Sequence, residues 1–403
     1  MSRAPDLGRL ADPALRPIGE KVLGGQRLEA ADGLTLYATA DLLGLGALAD
    51  AANRRVNGDR VFFSANQHIN PTNVCVLRNT CVFCSFARLP KEAGAYTRSL
   101  DDVFAEAEQA RGAPTREFHI VGGLHPKLRL SYYTDMIRGL KERHPEVHVK
   151  ALTAVEIAHL ARIERSSVRE VLVALKEAGL TSLPGGGAEV FSTAVRATIA
   201  ERKLTGEEWI MVHRTAHALG LPTNCTMLYG HVETAADRIE HLSMLRALQD
   251  ETGGFLTYIP LAYHPDHNDL GEDLGRVGTA TTGHEDLKNI AVARLFLDNV
   301  LHVKTHWPMV TPFLSQIALN FGCDDVEGTV VYERIYHEAG ARTAMGLPYL
   351  ELVRLIRGAG RRPVERDSLY RVVRDAFDDP PPPEHPDGRA HRRGAALPVV
   401  HAA

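Results

Sequence analysis

Three cysteines lie close together early in the chain. Five residues separate Cys75 from Cys81, and two separate Cys81 from Cys84. Cysteine thiolates are the usual protein ligands of [4Fe–4S] clusters. Three of them leave one iron without a protein ligand, so an external chelating molecule can bind there. The amino and carboxylate groups of S-adenosylmethionine suit that role, and one electron from the cluster would then cleave a carbon–sulfur bond to give a 5′-deoxyadenosyl radical.

Structural zinc is the alternative that these cysteines leave open. Zinc sites of that kind are closed by four protein ligands, and their cysteines tend to come as two CxxC pairs. The other cysteines, Cys225 and Cys323, lie far along the chain, and we expect each to be a buried small apolar side chain. The spacing therefore favours the cluster over a zinc-binding barrel protein without radical chemistry.

A repeated alternation of short apolar runs and helical stretches surrounds the cysteine loop. The runs are 61–69, 118–121, 147–152, 182–183, 223–228, 255–261, 301–305 and, more weakly, 318–321. Such alternation predicts parallel βα units. We therefore expect an α/β fold, a (β/α)8 TIM-type barrel whose working face lies at the carboxyl ends of its strands.

Composition changes along the chain predict four parts. These are an N-terminal helical extension over 1–58, a core barrel over 59–310, a barrel-completing segment over 311–370 and a disordered tail over 371–403. The tail contains a run of four prolines and few apolar residues, which is typical of disorder. A Gly- and Asp-rich stretch at 265–283 interrupts the alternation, and we expect it to form a lid.

Polar and glycine residues collect just after the predicted strands. Because strand ends of a barrel meet at one face, their recurrence favours a common site over isolated loop residues. They are His68, Asn70, Gly122, Gly123, His125, Thr153, Glu156, the run 184–189, Tyr229, His231, His264, His306 and Trp307.

The overall composition narrows the class of protein. Lysine and arginine total 46 against 50 acidic residues, so the balanced charge gives no reason to expect a nucleic-acid or membrane-surface partner. The chain lacks a long apolar span and a secretory signal. We expect a cytoplasmic protein whose five cysteines are too few for a disulfide scaffold.

Several long motifs between residues 60 and 370 are recognisable. They include HINPTNVC (68–75), CVFCSFAR (81–88), FHIVGGLHP (118–126), LKEAGLTSLPGGGAEVF (175–191) and YIPLAYHP (258–265). With them the chain resembles the radical S-adenosylmethionine enzymes of the futalosine route to menaquinone, and among these the aminofutalosine synthases most closely. The cyclic dehypoxanthine futalosine synthases share the glycine run and LQDETGGF (248–255), and they remain an alternative.

This resemblance implies a transferase that consumes S-adenosylmethionine as a co-substrate. The 5′-deoxyadenosyl radical would add to the vinyl carbon of 3-[(1-carboxyvinyl)oxy]benzoate. The adduct would rearrange onto the aromatic ring, lose its carboxylate as bicarbonate or CO2 and return an electron. The products would be 6-amino-6-deoxyfutalosine and methionine, and an external flavodoxin- or ferredoxin-like protein would donate the electron.

Individual residues then receive expected roles. Cys75, Cys81 and Cys84 would bind the cluster, although the family's usual gap between the first two cysteines is three residues rather than five. The expected contacts to S-adenosylmethionine are Phe83, Gly122, Gly123 and Glu156. The expected catalytic residues are His125, His231 and Glu189, with His264 as a further candidate. The expected partners of the substrate carboxylates are Arg78, Arg88, Lys150 and Arg214.

Overall fold

The N-terminal part of the chain is helical, as the spacing of its apolar residues predicts. The computed structural model describes residues 5–109, 115–331, 333–375 and 377. After a short 3₁₀ turn at Leu7–Arg9 come α1 (Leu15–Leu23), α2 (Ala30–Ala38) and α3 (Leu42–Asn57). Helix α3 packs tightly, because a Cβ at Gly46 would lie 2.5 Å from Cε1 of Phe321.

The strands form two hydrogen-bonded sheets. One has the order β10-β9-β1-β8-β7-β6-β5, the other β2-β3-β4, and every pairing is parallel except that of β9 with β10. The strands are β1 (Arg60–Phe63), β2 (Asn66–Ile69), β3 (Glu117–Ile120), β4 (His148–Ala151), β5 (Thr223–Tyr229), β6 (Phe255–Ala262), β7 (His302–Thr305), β8 (Asp325–Val326), β9 (Arg362–Arg366) and β10 (Val372–Arg374).

The two sheets are linked to each other on two sides. Strands β1 and β2 are consecutive parts of one run, and β1 pairs with β8 whereas β2 pairs with β3. At the opposite side, Ser182 bridges to Lys150 of β4, and Leu183 bridges to Thr223 of β5. The predicted α/β, TIM-type strand order is confirmed.

Helices connect successive strands, and local sequence sets where many of them begin. Capping boxes, in which a Ser or Thr and an acid three residues later satisfy each other's backbone N–H groups, start α4, α6, α7, α9 and α10. The helices are α4 (Leu100–Ala107), α5 (Leu130–Arg143), α6 (Ala154–Glu164), α7 (Val168–Glu177), α8 (Thr193–Ile199), α9 (Gly206–Ala218), α10 (Ala235–Thr252), α11 (Asp269–Asp273), α12 (Gly283–Phe296), α13 (Trp307–Val310), α14 (Pro312–Ala318), α15 (Ile335–Glu338) and α16 (Tyr349–Gly358). None of these described helices combines the length and the apolar character needed to cross a membrane.

The predicted eighth strand at 318–321 is wrong. Ala318 ends α14, and the N–H of Phe321 donates to the Ala318 carbonyl at 2.8 Å. Ala318, Leu319 and Phe321 are buried, and a buried helix end gives the same short apolar run as a strand. The strand in this position is β8, which has two residues and lies within the predicted barrel-completing segment.

The segment that was predicted to be a tail begins inside the sheet. Val372 of β10 pairs antiparallel with Arg366 of β9, so the first residues after 371 are ordered. Apart from residues 371–375 and 377, the predicted disordered tail lies outside the described residues. The four predicted parts of the chain otherwise stay predictions.

Candidate active site

A cavity of about 290 Å³ lies at the carboxyl ends of the parallel strands. Residues in or just after β2 to β8, together with the run 184–189, line it. This is the face at which the loops of a βα barrel converge. It is also the face that the collection of strand-end residues predicts.

The cysteine loop forms one wall of the cavity. Cys75, Cys81 and Cys84 all line it. Backbone hydrogen bonds hold the loop on two sides: the Cys75 N–H donates to the Arg88 carbonyl at 2.9 Å, and the Val82 N–H donates to the Ile199 carbonyl at 3.0 Å. The loop is therefore fixed by main-chain contacts.

The unusual five-residue gap folds into a compact turn. The N–H groups of Thr80 and Cys81 both donate to the Leu77 carbonyl at 2.9 Å, and the Arg78 N–H donates to the Cys75 carbonyl at 3.3 Å. Leu77 itself lines the cavity. The longer gap thus keeps Cys75 and Cys81 on the same wall.

Burial disfavours the charged form of these thiols. It raises the pKa of Cys75, and it raises the pKa of Cys81 to about 12, although the Lys203 cation opposes it. The nearby Cys84 side chain adds to the rise of both pKa values. A bound cationic group would favour the thiolate forms.

The donor set fits an iron–sulfur cluster better than zinc. Within the described part of the chain, no three His, Cys, Asp or Glu side chains are grouped to hold a single metal ion. The thiolates of a [4Fe–4S] cluster bind different irons, so their sulfur atoms need not converge on one point. A structural zinc ion, by contrast, requires four donors that converge.

The strand-end glycines Gly122 and Gly123 line the cavity and also contact the chain that enters the cysteine loop. A Cβ at Gly122 would lie 2.8 Å from the Thr72 carbonyl oxygen, and one at Gly123 would lie 2.4 Å from that of Val74. Packing against the entering chain therefore leaves no room for a side chain at either position, and contact with S-adenosylmethionine stays a prediction. In the structure, the nearest group is the protein's own backbone.

Glu156 is both a helix cap and a cavity residue. Its Oε2 accepts hydrogen bonds from the N–H and Oγ1 of Thr153 at 2.7 and 2.8 Å, and its Oε1 accepts one from the Gly122 N–H at 3.0 Å. Burial outweighs these bonds and raises the pKa of Glu156 to about 7. Glu156 thus caps α6 and lines the cavity with the same side chain, and its contact with S-adenosylmethionine stays a prediction.

Glu189, from the glycine-rich run, forms an ion pair with Lys203 inside the cavity wall. Although burial acts to raise it, the Lys203 cation holds the pKa of Glu189 below its ordinary value. The Lys203 ammonium also lies 5.2 Å from the centroid of the Phe83 ring, and all three side chains line the cavity. Lys203 lies outside every motif used in the prediction.

The structure does not bring His125 and His231 to this cavity. Nδ1 of His125 accepts from the N–H groups of Lys127 and Leu128 at 3.1 and 3.0 Å. Nδ1 of His231 accepts from the Val232 N–H at 2.8 Å, and its Nε2 bonds to a carbonyl of its own turn. Both rings stabilise the turns in which they occur. Glu189, the third predicted catalytic residue, differs from them because it lines the cavity.

The other predicted polar contacts have mixed outcomes. His264 lines the cavity, and its Nε2 lies 3.1 Å from the Met309 carbonyl oxygen. The four cationic residues expected to meet substrate carboxylates do not line the cavity. Each has acidic partners: Arg78 has Glu92 and Asp269, Arg88 has Glu338, Lys150 has Glu117, and Arg214 has Glu251.

The segment 265–283 packs against the cysteine loop. The Leu270 N–H donates to the Val82 carbonyl at 2.9 Å, and the Ser85 hydroxyl donates to the Asp266 carbonyl at 2.9 Å. On its other side, the Arg276 guanidinium donates to the Gly230 carbonyl at 2.6 Å. The segment bridges two strand ends, and its action as a lid stays a prediction.

Comparison with known proteins relates most of the chain to radical SAM enzymes. Residues 69–245 match the radical SAM superfamily, and residues 252–378 match the CofH/MqnC C-terminal region. The aminodeoxyfutalosine synthase of Thermus thermophilus is 50% identical over 91% of this chain and 97% of its own length. That of Streptomyces coelicolor is 45% identical over 91% of this chain and 96% of its own.

More distant relatives are also similar. The cyclic dehypoxanthine futalosine synthase of Streptomyces coelicolor is 37% identical over 91% of this chain and 90% of its own length. The crystal structure of methylornithine synthase superposes with a TM-score of 0.68 at 17% identity, over 86% of this chain and 97% of that one, which shows a shared fold. The chain is an enzyme of the radical SAM superfamily and, within it, belongs to the family of the aminodeoxyfutalosine synthases.

Proposed function

We propose that the protein transfers the 5′-deoxyadenosyl group of S-adenosylmethionine to 3-[(1-carboxyvinyl)oxy]benzoate, the aminofutalosine synthase reaction. Methionine and the enolpyruvyl carboxylate, as bicarbonate or CO2, would be released. The observation that carries the proposal is the shared cavity at the strand ends, which is lined by three cysteines, two glycines and the Glu189–Lys203 pair.

Cys75, Cys81 and Cys84 would hold a [4Fe–4S] cluster with one iron left open. When it is bound together with S-adenosylmethionine, the cluster supplies the electron that cleaves the carbon–sulfur bond and gives the 5′-deoxyadenosyl radical. The main-chain contacts of the loop would keep the three thiolates in position to hold the cluster.

The neighbouring residues would position S-adenosylmethionine. Gly122 and Gly123 line the cavity at the end of β3, and the methionine amino group would lie against their backbone. Phe83 offers an aromatic face to adenine. Glu156 and Glu189 are the acids in reach of ribose hydroxyls, and hydrogen bonds from Thr153 and Gly122 fix the carboxylate of Glu156.

The remaining wall would exclude water from the reacting atoms. Apolar side chains from β5, β6 and the following loops line the middle of the cavity, among them Leu228, Ile259, Leu261 and Met309. A radical needs such a dry space, because side reactions compete with the intended addition. A flavodoxin- or ferredoxin-like protein would deliver the electron, and we expect the enzyme to work in the cytoplasm.

A product assay tests this function. The anaerobically reconstituted protein, given a reductant, S-adenosylmethionine and 3-[(1-carboxyvinyl)oxy]benzoate, should yield 6-amino-6-deoxyfutalosine and methionine in equal amounts by mass spectrometry. Turnover of dehypoxanthine futalosine alone would transfer the assignment to the cyclic dehypoxanthine futalosine synthases. A colourless protein that retains one tightly bound zinc ion would refute the radical mechanism itself.

A further inference from the structure

The cavity has a second polar end that none of the predicted roles uses. His68 on β2, His119 on β3, His306 after β7 and Glu327 after β8 all line it. His68 and His119 are register partners on adjacent strands, and their ring centroids lie 4.7 Å apart with 28° between the ring planes. Because residues at these positions point to the inside of the barrel, the strands themselves create this histidine end.

Glu327 fixes the orientation of His306. Its Oε1 accepts a hydrogen bond from the Asn66 amide at 2.7 Å, and its Oε2 accepts one from the Lys304 ammonium at 3.2 Å. Nδ1 of His306 lies 3.2 Å from the same Oε2. Although burial opposes ionisation, Lys304 and His306 hold the pKa of Glu327 well below its usual range. An ionised carboxylate only accepts hydrogen bonds, so Nδ1 of His306 must be the donor.

Two imidazole nitrogens at this end have no partner. Nε2 of His68 and Nε2 of His306 are both buried, and neither forms a hydrogen bond in the described structure. The two residues are 8% and 6% exposed. Buried polar atoms of this kind are normally satisfied by protein, water or ligand. Since both residues line the cavity, their unpartnered nitrogens point to a polar group on whatever fills it.

The charges around the histidine end identify that group. Lys304 is paired with Glu327, and Lys150 is paired with Glu117. Glu333, the other acid that lines this region, already accepts hydrogen bonds from the backbone of Tyr336 and His337 and from the His337 ring. Both lysines and all three acids at this end therefore already have partners, and the unpartnered imidazole nitrogens are the groups left to meet a polar ligand. His68 remains a neutral donor, because burial lowers its pKa.

We infer that His306 and His68 bind the ring carboxylate of the aryl substrate, with Glu327 as the positioning residue. In the complex one proton lies between Nε2 of His306 and the carboxyl group, while Nδ1 of His306 donates to Glu327. Tyr336, whose ring packs edge-on against His306 at 5.1 Å, and the apolar middle of the cavity enclose the aromatic body. The identity of the substrate rests on the proposed function, whereas the carboxylate site rests on the two unpartnered nitrogens.

Binding of a ring carboxylate to the reconstituted holoenzyme tests the inference. Isothermal titration calorimetry would compare 3-hydroxybenzoate with its methyl ester, which has the same ring but no charge. The wild type should prefer the acid by about tenfold or more, as a hydrogen-bonded ion pair requires. His306→Asn should abolish the preference, since asparagine can still donate to Glu327 from the Nδ1 position but has no atom at Nε2.

Matched variants separate this role from a structural one. His284→Asn, at an exposed site on α12, should keep the acid preference. In turnover, His306→Asn should raise the KM for the aryl substrate about tenfold or more while the KM for S-adenosylmethionine stays unchanged. Glu327→Gln should weaken the acid preference without lowering the iron content. Iron analysis and urea unfolding of each variant report on folding.

The outcomes distinguish the two proposals. Equal binding of acid and ester by the wild type would overturn the carboxylate site, and so would an absence of binding up to millimolar concentrations or an undiminished preference in His306→Asn. A holoenzyme that shows the preference and loses it in His306→Asn, but forms no aminofutalosine, would refute the proposed function and leave the carboxylate site standing.

Discussion

The backbone N–H of Gly122 donates a hydrogen bond of 3.0 Å to Oε1 of Glu156. This bond joins the end of β3 to the first turn of α6, two elements that each supply residues to the cavity. The capping interaction with Thr153 uses the other carboxylate oxygen. A single buried acid thus couples the local start of a helix to the shape of the candidate active site.

Glu156 makes the stability of the protein depend on pH. Because its folded pKa of about 7 lies above the ordinary glutamic acid value of 4.5, protonation stabilises the fold, and this contribution is complete below about pH 4.5 and is lost as pH rises through 7. In Glu156→Gln the contribution should be absent. The free energy of unfolding of the wild type relative to the variant should fall by up to about 3 kcal/mol between pH 5 and 8. Urea unfolding at several pH values measures it, and parallel profiles would contradict it.

The Glu189–Lys203 pair should tolerate joint removal better than single removal. Lys203→Met leaves the buried carboxylate of Glu189 without its cation, and we expect a loss of about 3 kcal/mol in the free energy of unfolding. The double variant Glu189→Gln with Lys203→Met removes both charges and should recover most of this loss. Urea unfolding of the three proteins tests the coupling. A double variant no more stable than Lys203→Met would contradict it.

Gly123 should be intolerant of any side chain. A Cβ at this position would lie 2.4 Å from the Val74 carbonyl oxygen, so Gly123→Ala must displace the chain that leads into the cysteine loop. We expect a loss of about 1–3 kcal/mol in stability and a lower iron content. The control is Gly283→Ala, where the nearest atom is the flexible end of Leu314 at 3.3 Å. Equal iron content and unfolding midpoints in the two variants would refute the steric argument.

Replacing a cysteine should lower the iron content only where that cysteine lies in the cysteine loop. Cys84→Ala should leave the reconstituted protein without a stable cluster, whereas the wild type should bind about four irons per chain. Cys225 is fully buried on β5 and does not line the cavity. Cys225→Ala should therefore keep the iron content and lose only some stability. Iron and sulfide analyses decide the matter, and full loading of Cys84→Ala would disprove the ligand assignment.

Local sequence was sufficient for much of the fold and for one wall of the site. The alternation of apolar runs and helical stretches predicted the parallel strand order, because strand and helix periodicities depend on neighbouring residues. The cysteines needed no long-range information, since all three lie in one loop. The prediction of the eighth strand failed at 318–321, where buried residues at a helix end imitate a strand. With β8 misplaced, Glu327 was missed.

Histidines with the same position in the sequence pattern have different environments in the structure. His125, His231 and His306 each follow a strand, but the rings of the first two satisfy backbone groups of their own turns. Only His306 keeps a free buried nitrogen in the cavity. Sequence position cannot distinguish these cases, because the choice depends on the backbone geometry of each turn.

What the sequence by itself determined is therefore the chemistry that could be present: the cluster ligands, the family and the face of the barrel. The tertiary structure decided which side chains share the cavity. His68, His306 and Glu327 come from opposite ends of the chain, and Lys203 lies outside every motif. They converge because strand pairing brings β2, β7 and β8 around one interior, and contacts between residues so far apart leave no periodic signal along the chain.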